Sequence, residues 1–544
     1  MVVLSSKKKN NFVIGAAILS GAGILSRVMG LGYRVVLIRL IGAEGMGIYQ
    51  MAYPLYTIML VVSRSGIPVA LAKMVAGRLA KGKNKDAYRI FTIARILSVV
   101  IGLLSSITMA LLAGPLISIL KLDPRAYHAI LAISPAVFIV SVMASYRGFF
   151  QGMQDMKPTA FSQLLEQFIR TITMILLAYL LLPIGLNYAA AGASFGAVTG
   201  AIAGLIALIY IYFKRRSSIF DFFNKGNDLT EYKAKPIAIE LTKLAIPITI
   251  GALVQPLMSL VDWIFVPQRL QSAGFIMGEV TTLYGRLTTV AMPLVQFPTV
   301  ITVSLATSLV PAISEAFELE NQRLIYHRTT TAIRLTYMLG LPAAIGMFVL
   351  SGQLTDIIYN EPQAASILAV VSWGVLFITL QQTSSAILQG VGRTDLPAKN
   401  LFIGAGFNAI INYTLTGLPA FNIHGAALGT VIGFAVAAFL NLRSVYSELG
   451  FLFGDKRRFI YPSIVALLMG VITYISKGIL VNVFLIEGFV MEFAFLILLV
   501  LIGILSYFIL LIYAGEIGYD ELKFIPKIGT KIAIKLKEWG VIDY

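Results

Sequence analysis

Two arginines, Arg27 and Arg34, lie within a long apolar stretch near the start of the chain. Their spacing of two helical turns places both on one helix face, with Gly30 between them. A charge near the centre of a membrane span costs at least about 2.5–3.5 kcal/mol, and this stretch has no acidic residue to neutralise either arginine. Because guanidinium groups bind phosphate through paired hydrogen bonds, the pattern predicts an anion site. The alternative is contact with outer headgroups or backbone carbonyls.

Other charged residues extend this candidate site. Arg64 lies in the second apolar stretch, and Asp262, Arg269 and Arg286 lie around the outer ends of the seventh and eighth. Asp262 could pair with either of these arginines, and a structural ion pair is then an alternative to ligand binding. The candidate substrate-binding set is therefore Arg27, Arg34, Arg64, Arg286, Arg269 and Asp262.

One further pair of charges is interpreted as structural. Glu166 and Arg170 stand four residues apart in the fifth apolar stretch, with the acidic residue first. That order favours an ion pair along one helix face. We therefore expect these two residues to neutralise each other.

The residues that enzymes need are missing or scattered. The chain has no cysteine, which excludes disulfides and thiolate chemistry, and three distant histidines give no pattern for a metal site. No glycine-rich nucleotide-binding loop and no nucleophile–histidine or paired-carboxylate arrangement stands out. We expect no enzyme activity, no metal and no cofactor, so transport would use ion gradients, the membrane potential or the ligand's own gradient.

The composition identifies the elements that must position these charges. The chain has 544 residues, of which 58% are hydrophobic and only 13% charged, with a mean hydropathy of +0.84. Soluble domains carry roughly 25% charged residues. Repeated apolar runs of about twenty residues predict an all-α integral membrane protein with about fourteen spans.

The net charge of +17 is distributed as in membrane proteins, not nucleic-acid-binding ones. Basic residues concentrate in alternate connecting segments, and the opposite set holds few, namely Lys121, Arg125 and Arg269. Positive segments stay on the cytoplasmic side, which predicts a multi-pass protein of the cytoplasmic membrane with both termini inside. The tail carries lysines at near-helical spacing, which predicts an amphipathic helix on the anionic inner leaflet.

The chain also repeats itself. Phe150–Pro158 resembles Leu388–Pro397, Gly192–Gly196 resembles Gly425–Gly429, and 67–72 resembles 301–306, at similar offsets and in the same order. Each copy holds six spans, so the copies share one orientation, as in transporters with parallel repeats. The predicted regions are an N-lobe at 1–213, a cytoplasmic linker at 214–239, a C-lobe at 240–447, spans thirteen and fourteen at 448–514 and a basic cytoplasmic tail at 515–544.

Several segments carry a family resemblance that covers nearly the whole chain. They resemble the stage V sporulation protein B (SpoVB) family, in the polysaccharide-exporter branch of the multidrug/oligosaccharidyl-lipid/polysaccharide (MOP) superfamily, to which MurJ-type lipid II flippases are related. The matching segments are Ser26–Gly30, Arg34–Gly42, Glu44–Tyr49, Gly66–Lys73, Arg147–Gly152, Gln163–Gln167, Leu309–Glu315 and Glu521–Gly529.

The resemblance implies a substrate and a site. It implies translocation of an undecaprenyl-diphosphate-linked sugar, such as lipid II or a related peptidoglycan or polysaccharide precursor, and a role in spore cortex synthesis in a sporulating bacterium. MurJ-type relatives use arginines of spans one, two and eight in a cationic cavity, and their two extra spans form a lipid groove. The corresponding residues here are Arg27, Arg34, Arg64 and Arg286. Arg269 is the second candidate, after Arg286, for the arginine of span eight. Val35 replaces an aspartate that often follows the second arginine in those relatives, which favours the sporulation branch.

Three functions remain open at this point. The first is a flippase for lipid-linked oligosaccharides, whose partners are that substrate, membrane lipids and cell-wall synthesis proteins, without nucleic acid. The second is a multidrug or cation antiporter of the same superfamily, which would need acidic residues where the first span has only arginines. The third is a non-transporting scaffold of wall synthesis, which leaves the deep arginines unexplained.

Overall fold

The computed structural model is helical throughout the residues it describes, which are 2–215, 234–253, 256–450, 457–483 and 488–516. Their side chains are described except at 2–18, 20, 24, 27, 31, 457, 458, 482 and 483. Within these ranges, eleven helices are long and apolar enough to cross a membrane. They become twelve if Pro362–Val371 and Gly374–Gly390, bent by 43°, form one broken span. The predicted all-helical membrane fold is confirmed.

The chain divides into two compact units, Met1–Gly285 and Arg286–Tyr544. The first unit contains ten helices within its described residues: α1 (Val2–Met51), α2 (Tyr53–Arg64), α3 (Gly66–Ala80), α4 (Asn84–Ile119), α5 (Ala126–Gly152), α6 (Lys157–Leu181), α7 (Leu186–Lys214), α8 (Ala234–Leu253), α9 (Leu257–Ser272) and α10 (Met277–Gly285). Helix α9 is tied to the end of α1 by a hydrogen bond of 2.8 Å from Trp263 Nε1 to the carbonyl of Met51.

The second unit begins with a π-helical turn, Arg286–Ala291, and its described α-helices of seven residues or more then follow. They are α11 (Met292–Glu318), α12 (Gln322–Val349), α13 (Ala365–Val371), α14 (Gly374–Gly390), α15 (Asp395–Leu415), α16 (Asn422–Leu449), α17 (Arg457–Val483) and α18 (Phe489–Tyr513). Helices α17 and α18 dock on α12 through a buried apolar cluster that includes Met338, Ala466 and Leu511.

Prolines lie at the start of two shorter helices, and one glycine interrupts the longest helix. The second predicted span is divided at Ser65 into α2, with Pro54 in its first turn, and α3. Pro256 is the N-cap of α9. Gly42 interrupts α1 with a φ of 67°, a backbone conformation that glycine adopts without strain. Other prolines lie inside unbroken helices, as Pro247 does in α8 and Pro298 in α11.

One candidate, Gly21–Ala80, takes in much of α1 together with α2 and α3, so there are fewer candidates than the fourteen predicted spans. Helix α15, in the predicted C-lobe, is not among the eleven candidates. Its buried residues Asn400, Asn408 and Asn412 lower its hydropathy. Residues 216–233 of the predicted linker and 517–544 of the predicted tail lie outside the described residues.

Candidate anion-binding site

Arg34 and Arg170 lie in one cluster of the first unit, where α1 packs against α6. A Cβ atom at Gly30 of α1 would lie 3.9 Å from Gln167 Nε2 of α6. Arg34 is one turn beyond Gly30, and Arg170 is one turn beyond Gln167. Tyr33 interacts electrostatically with both arginines. Gly30 and Gln167 are therefore in contact range, and the arginine one turn beyond each of them lies close to Tyr33.

Tyrosines form the surroundings of Arg170. Its Nη2 donates a hydrogen bond to the hydroxyl of Tyr53, which also accepts one of 2.5 Å from Tyr49. The rings of Tyr49 and Tyr53 are 4.8 Å apart, and those of Tyr53 and Tyr56 are 5.7 Å apart. Tyr33, Tyr49 and Tyr56 are buried. We call Arg34, Arg170 and these four tyrosines the arginine–tyrosine cluster.

The two arginines of this cluster have no acidic ion-pair partner in the part of the chain that the structure describes, although Glu166 lies within electrostatic range of Tyr56. The expected Glu166–Arg170 ion pair is wrong, because Glu166 Oε2 lies 2.8 Å from Nη2 of Arg147 on α5. Among the described residues, Arg34 and Arg170 form no ion pair with an acidic side chain. Hydroxyl groups can accept hydrogen bonds from arginine but carry no opposing charge at neutral pH. The cluster therefore keeps a net positive charge that suits an anion.

The other arginines predicted near Arg34 contribute less to this geometry. The side chain of Arg27 lies outside the described residues. Arg64 is exposed at the end of α2, and its electrostatic interaction is with Tyr56 at the edge of the cluster. Arg64 thus stands close enough to influence the site without forming its centre.

The remaining predicted site residues have surroundings of their own. Arg286, in the second unit, has its Nε 3.0 Å from Glu361 Oε2, and each side chain is 16% exposed. Of the two arginines considered as partners for Asp262, Arg286 is thus paired elsewhere. Asp262 is buried in the first unit and interacts with Tyr284, while Arg269 is half-buried at the end of α9. An anion approaching Arg286 would have to compete with Glu361.

A second polar network of the first unit was not foreseen from the sequence. Arg125, in the loop between α4 and α5, has its Nη2 2.8 Å from Asp123 Oδ2 and 2.7 Å from Glu44 Oε1 of α1. The Thr281 hydroxyl of α10 donates a 2.7 Å hydrogen bond to Asp123 Oδ2. We call these four residues the loop network, and it fastens the α4–α5 loop to α1 and α10.

The electrostatics of the loop network favour its charged form. Burial pushes the pKa of Asp123 upwards, but hydrogen bonds from Arg125 and Thr281 outweigh that effect and hold the pKa below its ordinary value. The side-chain hydrogen bond with Asp123 raises the pKa of Arg125 against the opposing effect of burial. Both groups therefore stay ionised at neutral pH.

Beside this network, α1 and α10 approach so closely that only glycine fits. A Cβ atom at Gly47 would lie 2.0 Å from the carbonyl oxygen of Thr281. A Cβ atom at Gly285 would lie 2.1 Å from the carbonyl oxygen of Ala43. The crossing therefore depends on both glycines.

Comparisons with known proteins give this architecture a family. The sequence model of the family described as "Polysaccharide biosynthesis protein" matches residues 12–317, more than half of the chain. The chain belongs to the polysaccharide biosynthesis protein family. The model described as MatE matches residues 287–414.

Full-length relatives agree with this assignment. Stage V sporulation protein B of Bacillus subtilis (strain 168) is 32% identical over 530 residues, covering 96% of this chain and 99% of that protein. Lipid II flippase MurJ of the same organism is 25% identical over 484 residues, covering 86% of this chain and 88% of that protein. The chain is thus a SpoVB-like member of the MOP superfamily, related to MurJ flippases and MATE transporters.

Solved structures share the fold of this family member. A lipid II flippase MurJ in an inward closed conformation has a TM-score of 0.65 at 19% identity, covering 91% of this chain and 98% of that one. An inward-facing MATE transporter of the MOP superfamily has a TM-score of 0.66 at 16% identity, covering 78% of this chain and 94% of that one. The chain is a multi-pass integral membrane protein of a transporter family, not of a family of catalytic enzymes.

Sequence reasoning found Arg34 but not the residues around it. Tyr49, Tyr53 and Tyr56 follow a helical spacing that could have indicated one tyrosine face. Arg147 gave no local signal, because its partner lies on another helix. The described residues contain no group of three or more histidines, aspartates and glutamates that could hold a metal ion.

Proposed function

We propose that this protein is a flippase, which moves undecaprenyl-diphosphate-linked sugars from the inner to the outer leaflet of the cytoplasmic membrane by alternating access. The substrate is lipid II or a related peptidoglycan or polysaccharide precursor. In a sporulating bacterium, the precursor serves spore cortex synthesis. The single observation that carries this proposal is the arginine–tyrosine cluster without a carboxylate.

The chemistry of the cluster supports an anionic substrate over a cationic one. A drug cation or a coupling cation needs acidic side chains, whereas Arg34 and Arg170 offer only hydrogen-bond donors and positive charge. The diphosphate of a lipid-linked sugar has several oxygens that can accept paired hydrogen bonds from guanidinium groups. The tyrosine hydroxyls can supply further hydrogen bonds to the diphosphate or the sugar.

The relatives support the same class of substrate. MurJ of Bacillus subtilis bears the name lipid II flippase, and the stage V sporulation protein B match spans nearly the whole of both chains. The proposal carries that substrate class over to this chain. Its partners would be the lipid-linked oligosaccharide, surrounding lipids and proteins of wall synthesis, with energy from a gradient or the membrane potential.

The proposed topology follows from the distribution of basic residues. Both termini lie in the cytoplasm, as do the basic linker at 214–239 and the basic tail at 515–544. The lobes at 1–213 and 240–447 are related by rotation about the membrane normal, with 448–514 outside that symmetry. Cysteine-accessibility labelling tests the sidedness, because the natural chain has no cysteine.

Transport in a defined membrane tests the function. The full chain is reconstituted in vesicles that carry labelled lipid II, and the fraction exposed on the outer face is followed with time. We expect the parent to speed this exposure, and Arg34→Ala to slow it at least about tenfold, since it removes a charge-assisted contact. Arg323→Gln is the matched control, because Arg323 is exposed at the start of α12 and lies outside the cluster.

Two results would contradict the proposal. If Arg34→Ala moved lipid II as fast as the parent while folded and inserted, the cationic cluster would not be the site. If the parent moved no lipid-linked sugar but exported cationic dyes against a proton or sodium gradient, the antiporter function would replace the flippase.

A further inference from the structure

Glu166 is in a position to neutralise Arg170 but is held elsewhere. The two residues are four apart on α6, a spacing at which acidic and basic side chains usually pair. Arg147 of α5 instead approaches Glu166, with 2.8 Å between Nη2 and Oε2. The two side chains are 16% and 18% exposed, so solvent screens this ion pair only partly. The single carboxylate beside Arg170 on its own helix is therefore engaged by another arginine.

The Ser162 hydroxyl and helix α7 hold this ion pair in place. Arg147 Nη2 also donates a 2.9 Å hydrogen bond to the hydroxyl of Ser162, which donates in turn to the carbonyl of Gly204 on α7. A Cβ atom at Gly204 would lie 3.2 Å from Glu166 Cβ. Helix α7 therefore packs closely on this part of α6, and the Ser162 hydroxyl helps to align Arg147 with Glu166.

Arg170 keeps most of its hydrogen-bonding capacity as a result. Its hydrogen bond to the Tyr53 hydroxyl is the one that the guanidinium forms among the described residues. Its buried Nε has no hydrogen-bond partner there. A guanidinium group has five N–H donors in a planar fork. Arg170 is thus a half-buried cation with unused donors, close to Arg34 and without an acidic ion-pair partner among the described residues.

We infer that Arg170 is an anion-binding residue of the site and that Arg147 is a positioning residue, which keeps it available by holding Glu166 away. The Tyr53 hydroxyl occupies one donor of Arg170 when no ligand is present. A phosphate oxygen would take that place, because an ionised acceptor binds guanidinium more strongly than a neutral hydroxyl. The identity of the anion, a polyprenyl diphosphate, rests on the proposed function.

Binding to the full-length protein in detergent micelles tests this inference without requiring transport. The probes are undecaprenyl diphosphate and inorganic pyrophosphate, titrated against the parent, Arg147→Gln, Glu166→Gln and the double variant. Arg147→Gln should release Glu166 to pair with Arg170 and weaken diphosphate binding at least about tenfold. Adding Glu166→Gln should restore binding, because the amide carries no charge. A purely structural role for Arg147 predicts no such recovery of affinity per folded molecule.

Two more variants keep the inference testable if Arg147→Gln does not fold. Gln167→Glu places a carboxylate three residues before Arg170, where Arg147 does not hold it, and should also weaken binding about tenfold. Arg147→Lys preserves the charge opposite Glu166 and should bind nearly as the parent does. Normal diphosphate affinity in folded Gln167→Glu, or no recovery in the folded double variant, would overturn the inference.

The outcomes separate this inference from the proposed function. If the parent binds diphosphate through Arg170 but moves no lipid-linked sugar in vesicles, the flippase proposal fails and the anion site stands. If the parent moves lipid II while the Arg147 and Gln167 variants bind diphosphate as the parent does, the flippase stands and the role of Arg147 fails.

Discussion

Helices α6 and α7 of the first unit make the same glycine contacts as helices α15 and α16 of the second. The polar side chains beside those contacts differ between the two units. A Cβ atom at Gly192 would lie 3.0 Å from the backbone carbon of Leu177 on α6. A Cβ atom at Gly425 would lie 2.7 Å from the backbone carbon of Leu415 on α15. The repeat seen in the sequence thus recurs as a packing pattern within each unit.

The same pattern recurs at the preceding helices. A Cβ atom at Gly152, which ends α5, would lie 2.8 Å from Val75 Cβ. One at Gly390, which ends α14, would lie 2.7 Å from Ile313 Cβ. These contacts keep the same order and similar offsets along the two halves. Small residues at helix crossings are typical of membrane proteins, where close packing replaces the hydrophobic effect between helices.

The side chains beside these glycines differ in charge. Gly196 packs on Met174, one turn after Arg170, whereas Gly429 packs on the amide oxygens of Asn412 and Asn408. These contacts make Met174 equivalent to Asn412. One turn earlier on each helix, Arg170 of the first half is therefore equivalent to Asn408 of the second. The first unit thus has a cation beside tyrosines, and the second has neutral, fully buried amides.

This difference indicates that one helical framework serves two purposes. In the first unit, the framework supports a charge that an anion can neutralise. In the second, hydrogen-bonded amides hold helices together, as in the 2.9 Å bonds from Asn400 to Asn441 and from Asn441 to Ser385. We expect substitutions in the first unit to change anion affinity, and those among the amides to change stability.

The sharpest way to break this comparison is to make the first half resemble the second. Arg170→Asn removes the cation while keeping a polar side chain. We expect undecaprenyl diphosphate to bind ten- to more than a hundredfold more weakly, on the order of one or more lost charge-assisted hydrogen bonds. Titration of the purified variant measures this loss, and unchanged binding would show that Arg170 is not part of the site.

The shape of the cation gives a smaller and graded effect. Arg34→Lys keeps the charge but loses the planar fork that binds two phosphate oxygens, so we expect an intermediate affinity between the parent and Arg34→Ala. The same order should hold for Arg27, with Arg27→Lys milder than Arg27→Ala. Equal affinities for the lysine and alanine variants of Arg34 would mean that geometry does not matter there.

A matched change in the second half should act on folding instead. Asn408→Leu replaces a fully buried amide with a larger apolar side chain at a close helix crossing, and we expect a loss of stability of about 1–3 kcal/mol. Thermal unfolding followed by tryptophan fluorescence should show a lower Tm, while diphosphate affinity stays within about twofold of the parent. A large loss of affinity at unchanged Tm would contradict the division of roles.

The smallest effect concerns the loop network of the first unit. Because the folded pKa of Asp123 is depressed, its ionised form stabilises the fold fully above the ordinary aspartate value of about 3.9. That contribution is lost only as the pH falls through the lower folded value. The Tm difference between the parent and Asp123→Asn should therefore be constant from pH 5 to 8 and shrink towards pH 3. A difference that disappears near pH 6 would contradict this pKa direction.

The fold was largely predictable because a bilayer imposes one simple rule on every span. Apolar length located the helices, and Pro256 marks the start of α9. The site was only partly predictable. Glu166 and Arg170 have the spacing of an ion pair on one helix, but that spacing cannot reveal a competing residue on another helix. Arg147 is such a competitor. Likewise, Glu361 lies far from Arg286 in sequence and joins it only through the fold.

Photo-crosslinking of radiolabelled lipid II tests the central claim most directly, because it asks where the substrate lies. A photoreactive amino acid replaces Gln167 beside the cluster or, as a control in the second unit, Gln382, which accepts a hydrogen bond from Thr302. We predict a crosslink at position 167 that is lost when Arg34→Ala and Arg170→Asn are added, and a weaker one at 382. No crosslink at 167, or one that survives the loss of both arginines, would contradict the claim that the arginine–tyrosine cluster binds the substrate.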